Sequence, residues 1–399
     1  MKKLDKIALL ELESCFAYFW DNSRKEDGSF GLTLDFYPNK KNVVSIAATG
    51  FCLAGIIVGI EYGYITKKEG EKACLEIIKT LKTIPSKNGF YHHFYDSRDY
   101  QNTLDSEIST IDSAILFMGL IVVSSYFQGN IGQLADQIVN DVNWAYFTNP
   151  EKKIFYMAEK NNERFSEWNW YGEQLMMYVL ASGSTNPKYY VDKSYYEAII
   201  KPYGKYRNYK YIYTWYGSLF VHQYSHAFID FRKSRDEKGI NWFKNSIIAS
   251  KAARRYAIDK AKVFKSYSKD SWGISSCDTK DGYIGAYGNP PSGLNNTMHK
   301  CDGTIAPYAA LGCIVFTPKK SLKALHHYYK IDNLVGKYGL KAAFNLDKDW
   351  ISELFIGIDK GITLLMFANY DKKLIWEFTN KHPIIIKGLK NLNIIKRGK

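Results

Sequence analysis

The chain has 399 residues, a net charge of +14, 46% hydrophobic and 16% aromatic residues, and six cysteines. The apolar share is ample for a large core. The basic excess is spread thinly, its only dense run being the tail KGLKNLNIIKRGK, which argues against a nucleic-acid-binding face, because such faces concentrate Lys and Arg.

From the N-terminus, MKKLDKIALLELESCFAYFWDNS reads as an amphipathic helix broken by Glu11 and Glu13, not as a signal peptide. No apolar run reaches the roughly 18 residues needed to span a bilayer, so no membrane partner and a cytoplasmic location are expected. Helical periodicity then predicts helices at about 4–21, 43–63, 67–83, 106–127, 131–145, 168–183, 190–200, 217–232, 239–260, 303–314, 318–331, 353–368 and 371–380. Short aromatic strands are expected near 87–96, 153–158 and 206–214, forming small hairpins. The glycine-rich stretch 278–293 is the longest clear loop; it carries two Tyr, and ordered loops of this size are often functional. No CxxC pair or local zinc spacing occurs, so the cysteines read as small buried hydrophobes in a reducing compartment. No linker or repeat divides the chain, and a single domain over 1–399 is expected. About a dozen helices point to an all-α fold with a few short β-hairpins. A six-pair α/α toroid, an α-solenoid and an irregular helical globule all remain open on periodicity alone.

Three carboxylates interrupt apolar segments: Asp112 in ISTIDSAILFMGLIVV, Glu173 in WNWYGEQLMMYVLAS and Asp359 in ELFIGIDKGITLLMF. A buried ionised carboxylate needs a partner or a task. On a helix, Glu173 would share a stripe with Trp170, Met176, Met177 and Leu180; it is either a structural acid bonded to a buried Arg or Tyr, or a weakened acid that holds a proton for a leaving oxygen. Asp112 reads as a helix-start residue near the caps Ser109 and Thr110, or as a functional acid. Asp359 reads as an N-cap of GITLLMFANY or as a functional acid. Glycoside hydrolysis needs two such carboxyls, and 32 Tyr with 9 Trp suit stacking on sugar rings. In SLFVHQYSHAFIDFR, His222, His226 and Asp230 fall at i, i+4 and i+8, one face of a helix. Gln223 stands where an HExxH protease has its Glu, so no metal is expected there, and His226, Asp230 and Arg232 read as a polar network at the rim of a cleft or as a satisfied buried cluster.

The segments GFYHHFYD, SEISTIDSAILFMG, WNWYGEQLMMYVLA, LFVHQYSHAFIDFR, DGTIAPYAALGCIVFTP and KYGLKAAFN…FIGIDKGITLLM, in this order, resemble the glycoamylase-like family from about Phe16 to Leu392. That family includes bacterial endo-β-1,2-glucanases and a domain of cyclic β-1,2-glucan synthases. The resemblance implies an (α/α)6 toroid that hydrolyses β-glucosidic bonds of a glucan or oligosaccharide, with no metal or organic cofactor. It implies that Glu173 is the general acid and that Asp359 and Asp112 are the other functional carboxylates. It further implies that His93, Tyr95, Tyr224, His226, Asp230 and Arg232 line the cleft; Glu107, Trp170, Tyr171, Trp215 and Asp302 complete the substrate-binding candidates. Relatives often carry Gln where this chain has Lys360, whose charge would favour ionised Asp359. A transglycosylase or phosphorylase on the same sugars and a non-catalytic sugar-binding protein are the alternatives. The oligomeric state is left open.

Overall fold

A computed structural model of the chain describes residues 4–39 and 41–396, so the end of the basic tail, 397–399, and the leading lysines lie outside it. The described residues form fourteen α-helices: α1 (Lys6–Asn22), α2 (Ile46–Tyr62), α3 (Lys67–Leu81), α4 (Thr110–Phe127), α5 (Gly129–Asn140), α6 (Leu175–Gly183), α7 (Lys193–Ala198), α8 (Tyr224–Phe228), α9 (Trp242–Lys260), α10 (Pro307–Leu311), α11 (Pro318–Tyr328), α12 (Gly357–Lys372), α13 (Leu374–Thr379) and α14 (Pro383–Asn391). Side-chain caps fix several starts: Ser45 accepts from Ala48 N–H, Ser109 from Asp112 N–H, and Thr66 with Glu69 forms a reciprocal capping box.

Even-numbered helices from α2 to α12 are buried along most of their length, and every residue of α6, α8 and α10 is buried. Helices α3, α5, α11 and α14 bury a single stripe. Helix α2 packs between α4 and α12; α12 also meets α1, α8 and α10, while α4 meets α5, α6 and α13. The α2–α4 crossing is made backbone to backbone. A Cβ on Gly119 would lie 2.2 Å from Gly50 O, and one on Gly50 would lie 2.5 Å from Ile115 O, so only glycine permits this approach. α4 is long and apolar enough to cross a membrane, unlike the sequence expectation, but most of it is buried inside the protein.

Short antiparallel strand pairs link the helix starts. Residues 36–37 pair with 355–356 just ahead of α12, and Gly357 N–H donates to Asp35 O (2.7 Å). Residues 43–45, ahead of α2, pair with 94–96. His93 N–H donates to Glu107 O (2.9 Å), just before α4. Strand 154–160 pairs with 108–109, 148–149 and 163–167.

Most predicted helices are found, some of them shorter than expected: helix 303–314 is reduced to Pro307–Leu311. The expected helix 168–183 begins only at Leu175, because Asn169–Tyr171 are extended and tied to Ile200: Ile200 N–H donates to Asn169 O, and Tyr171 N–H to Ile200 O, both at 2.8 Å. The expected helix 217–232 reduces to a 3₁₀ turn at 220–222 and α8. It ends at Phe228; Ile229 is extended, and Asp230 accepts from the N–H of Arg232 in a side-chain-closed turn. α14 and the strand 163–167 were not anticipated.

Candidate active site

Asp112 sits in the first turn of α4, Asp359 in the first turn of α12, and Glu173 in the turn just before α6; Tyr224 and Tyr308 occupy the starts of α8 and α10. The expected helical stripe at Glu173 is therefore absent: Glu173 precedes its helix instead of riding on it. Its backbone is fixed by α8, since Ser225 Oγ donates to Glu173 O (2.8 Å) and accepts from Met176 N–H (3.0 Å). Asp359 is not an N-cap, a position held by Ile356, and it caps no backbone N–H. Helix starts carry unsatisfied N–H groups and the positive end of the helix dipole, which suits a cluster of acids.

Glu107, His93 and Asp112 form a chain. His93 Nδ1 lies 3.1 Å from Glu107 Oε1, and Nε2 lies 3.5 Å from Asp112 Oδ1. The ring also stacks on Phe94, 3.7 Å between centroids. Burial opposes charge on His93, but the carboxylates of Asp112, Glu107 and Asp35 outweigh it and push its pKa up to about 9. The hydrogen bond from His93 in turn holds Glu107 below its ordinary range. Ser109 Oγ donates to Asp112 Oδ2 and accepts the Asp112 N–H, so Asp112 has both the helix-start role and an imidazole partner.

Glu173 keeps a partly exposed side chain, yet the surrounding protein strips enough water to push its pKa up to about 8. The negative charge of Asp112 adds to the rise, and His93 opposes it. Asp359 is 4% exposed, and its Oδ2 has no hydrogen-bond partner among the described residues. Burial pushes it well above the carboxylate range, Lys360 opposes, and Asp35 and Asp278 add. As expected, the ionised form of Asp359 is favoured by Lys360. Its ammonium turns away to Glu11 Oε1 (3.2 Å) and Leu340 O, and desolvation of Asp359 is the larger effect. Glu11 is fully satisfied there, accepting also from Tyr329 OH (2.8 Å) and Leu340 N–H (3.0 Å).

Tyr224 and Tyr308 are buried, and both phenols feel the charge of Asp359. Trp170 and Trp215 meet edge to face, 5.1 Å between centroids, in the segments flanking Glu173 and α8. Several other candidates lie elsewhere. Tyr95 is fully buried and donates to Pro85 O. Tyr171 stacks on Trp242 at 4.5 Å. His226 is packed among Phe231, Phe243 and Phe316 with Nε2 3.0 Å from Ser246 Oγ, and burial lowers its pKa to about 3. These three are core residues, not cleft lining. Arg232 makes a bidentate pair with Asp230 (2.7 Å each) and lies over Trp376, 4.4 Å from its ring centre. That pair borders a groove with Lys373, at the other end of α12 from Asp359, about 20 Å away at 1.5 Å per residue. The break after Phe228 also removes the single helix face expected for His222, His226 and Asp230. Asp302 is held by Thr304 and by Lys348 Nζ (2.7 Å), which with its other hydrogen bonds lower it to about 2 despite burial. It is a loop ion pair.

Sequence reasoning missed Asp35. It stands in an extended segment without periodicity. Burial pushes its pKa up, with His93 and Ser45 opposing and Asp112 adding, and its carbonyl accepts from Gly357 N–H at the start of the helix that carries Asp359. Tyr283, in the flagged glycine-rich loop, was also not singled out.

The fold belongs to a known class of proteins. Residues 165–383 match the Glycoamylase family model, and the chain belongs to that family. It is 28% identical, over 96% of its length, to an exo beta-1,2-glucooligosaccharide sophorohydrolase (non-reducing end) of Parabacteroides distasonis, and it spans 57% of the length of that curated relative. An endo-beta-1,2-glucanase from Chitinophaga pinensis, solved with sophorotriose and glucose, is 26% identical, with a TM-score of 0.88 and 98% of each chain covered. A beta-1,2-glucanase from Parabacteroides distasonis, 24% identical with a TM-score of 0.87, shares the fold over 97% of this chain and 60% of that one.

Proposed function

We propose that this chain is a glycoside hydrolase that cleaves β-1,2-glucosidic bonds in glucooligosaccharides. The observation that carries the reading is Glu173, a carboxyl held protonated near neutral pH beside two further acids at the starts of neighbouring buried helices. The names of the relatives support the substrate class. In this reading Glu173 gives its proton to the glycosidic oxygen as the bond to the anomeric carbon breaks. Asp359, with one carboxylate oxygen unpartnered, takes the proton from the incoming water. Asp112, held by His93, is placed to face the cationic character that develops on the sugar. No step calls on a metal or cofactor.

The alternation of buried and amphipathic helices, with the starts of the buried ones gathered at one site, supports a single-domain (α/α)6 toroid. The six free cysteines agree with a cytoplasmic, reducing location, which we propose together with an imported oligosaccharide as substrate. The test is incubation with β-1,2-glucan and a panel of glucooligosaccharides of other linkages, with products resolved by chromatography. Cleavage confined to β-1,2-linked sugars is expected; no cleavage of any sugar refutes the proposal.

A further inference from the structure

We propose that Tyr283 is a substrate-contacting residue, presenting its ring from the tip of a hairpin to a glucosyl unit bound between Glu173 and Asp359. The inference rests on the functional reading above and adds a residue that neither the motifs nor the family resemblance assigns.

The hairpin is built to hold its tip in place. Cys277 and Ile284 exchange backbone hydrogen bonds (3.3 and 2.9 Å), as do Thr279 and Gly282 (3.0 and 3.1 Å), and Thr279 Oγ1 closes the turn on Gly282 O (2.6 Å). Gly282 has φ +102°, a conformation that favours glycine. The base is anchored to the site's own framework. Tyr308 OH, at the start of α10, donates to Ser276 O (2.7 Å), and Ser352 Oγ donates to Asp278 (2.6 Å). Ser218 Oγ contacts both Ser275 and Ser276 (3.0 and 3.2 Å).

Tyr283 projects from this framework unlike the other tyrosines of the site. Tyr224 and Tyr308 are 3% and 5% exposed, whereas Tyr283 is 56% exposed. Among the described residues no hydrogen bond or ring contact involves it. The hairpin that carries it is nevertheless tied to the site, because Tyr308, which holds its base, lines the same small cavity as Asp359. The surrounding protein limits hydration of the Tyr283 phenol, and the charges of Asp359, Glu173 and Asp35, along with the Cys277 thiol, all act on it in the same direction. Tyr224 and Tyr308 feel Tyr283 in turn. A large ring that is more than half exposed on a braced backbone, with a hydroxyl that makes no hydrogen bond among the described residues, contributes little to folding. It offers an apolar face and a polar tip to a sugar.

The experiment measures kcat and KM on β-1,2-glucooligosaccharides of increasing length for wild type, Tyr283→Ala and Tyr283→Phe, with thermal unfolding of each. Tyr283→Ala is expected to raise KM about tenfold, the equivalent of one lost ring contact. Tyr283→Phe is expected to stay within about threefold of wild type, because it keeps the ring. Both variants should unfold close to the wild-type temperature, since the ring is more than half exposed. An active wild type with unchanged KM and kcat in Tyr283→Ala at every length overturns the inference alone. A wild type that cleaves no β-1,2-linked sugar overturns the functional reading, and the inference falls with it.

Discussion

Replacing Glu173 by Gln separates activity from stability in a way that only a proton-holding acid explains. The carboxyl has its pKa raised from 4.5 to about 8 in the folded chain, whereas the unfolded chain keeps the ordinary value. Between these two values the folded state holds a proton that the unfolded state has released. Its stability contribution is therefore complete below 4.5 and is lost as pH rises through about 8, at about 1.4 kcal/mol per pH unit. At pH 7 the full shift would cost roughly 3 kcal/mol. Partial exposure of the side chain lowers the realistic figure to about 1–2 kcal/mol. Gln is nearly isosteric and cannot ionise, so Glu173→Gln should be more stable than wild type by that amount in urea unfolding at pH 7–8, with no gain near pH 4. The same variant should lose about 10²–10⁴-fold in kcat through loss of the acid. Equal activity would refute the assignment of the acid. A stability gap independent of pH would refute the electrostatic reasoning.

Other outcomes follow from the same geometry. The profile of kcat/KM should fall on the alkaline side as Glu173 loses its proton near pH 8, and on the acid side above the usual carboxylate range, because burial raises Asp359; a profile flat from pH 5 to 9 would contradict both. His93→Gln removes a cation that opposes proton retention by Glu173, so the alkaline limb should move to higher pH while kcat/KM drops, as the same titration would record. Gly119→Ala would drive a methyl into Gly50 O and part α2 from α4, at a cost of about 2–3 kcal/mol in chemical denaturation.

Long amphipathic or wholly apolar helices were legible in the sequence because their period is local: α1 to α5, α9 and α12 begin and end within a few residues of expectation. Legibility failed where long-range bonds override propensity. Trp170 reads as part of a helix, but the pairing of its neighbours with Ile200 holds the chain extended up to the turn containing Glu173. The His222–Arg232 segment has helical spacing, but Asp230 closes a turn on Arg232 and ends it. The candidate site divides along the same line. Asp112, Glu173 and Asp359 stood out because acids are rare in apolar runs, and all three sit at helix starts in one cluster. His93 and Glu107 meet only because strand pairing brings two distant segments together. Asp35 is placed by its bond to Gly357 and by pairing with 355–356, a contact across more than three hundred residues that leaves no periodic trace. His226 and Tyr171 show the converse: polar tips on aromatic rings, attractive as sugar ligands in a sequence, are spent inside the core.

The central claim is that acids gathered at the helix starts hydrolyse a β-1,2-glucosidic bond. The most direct measurement is the time course of products from purified β-1,2-glucooligosaccharides of defined length, run in parallel with wild type and Glu173→Gln. The account predicts shorter β-1,2-linked sugars released by wild type and almost none by the variant, while β-1,3- and β-1,4-linked controls stay intact. Intact β-1,2-linked sugars after prolonged incubation with wild type would contradict it.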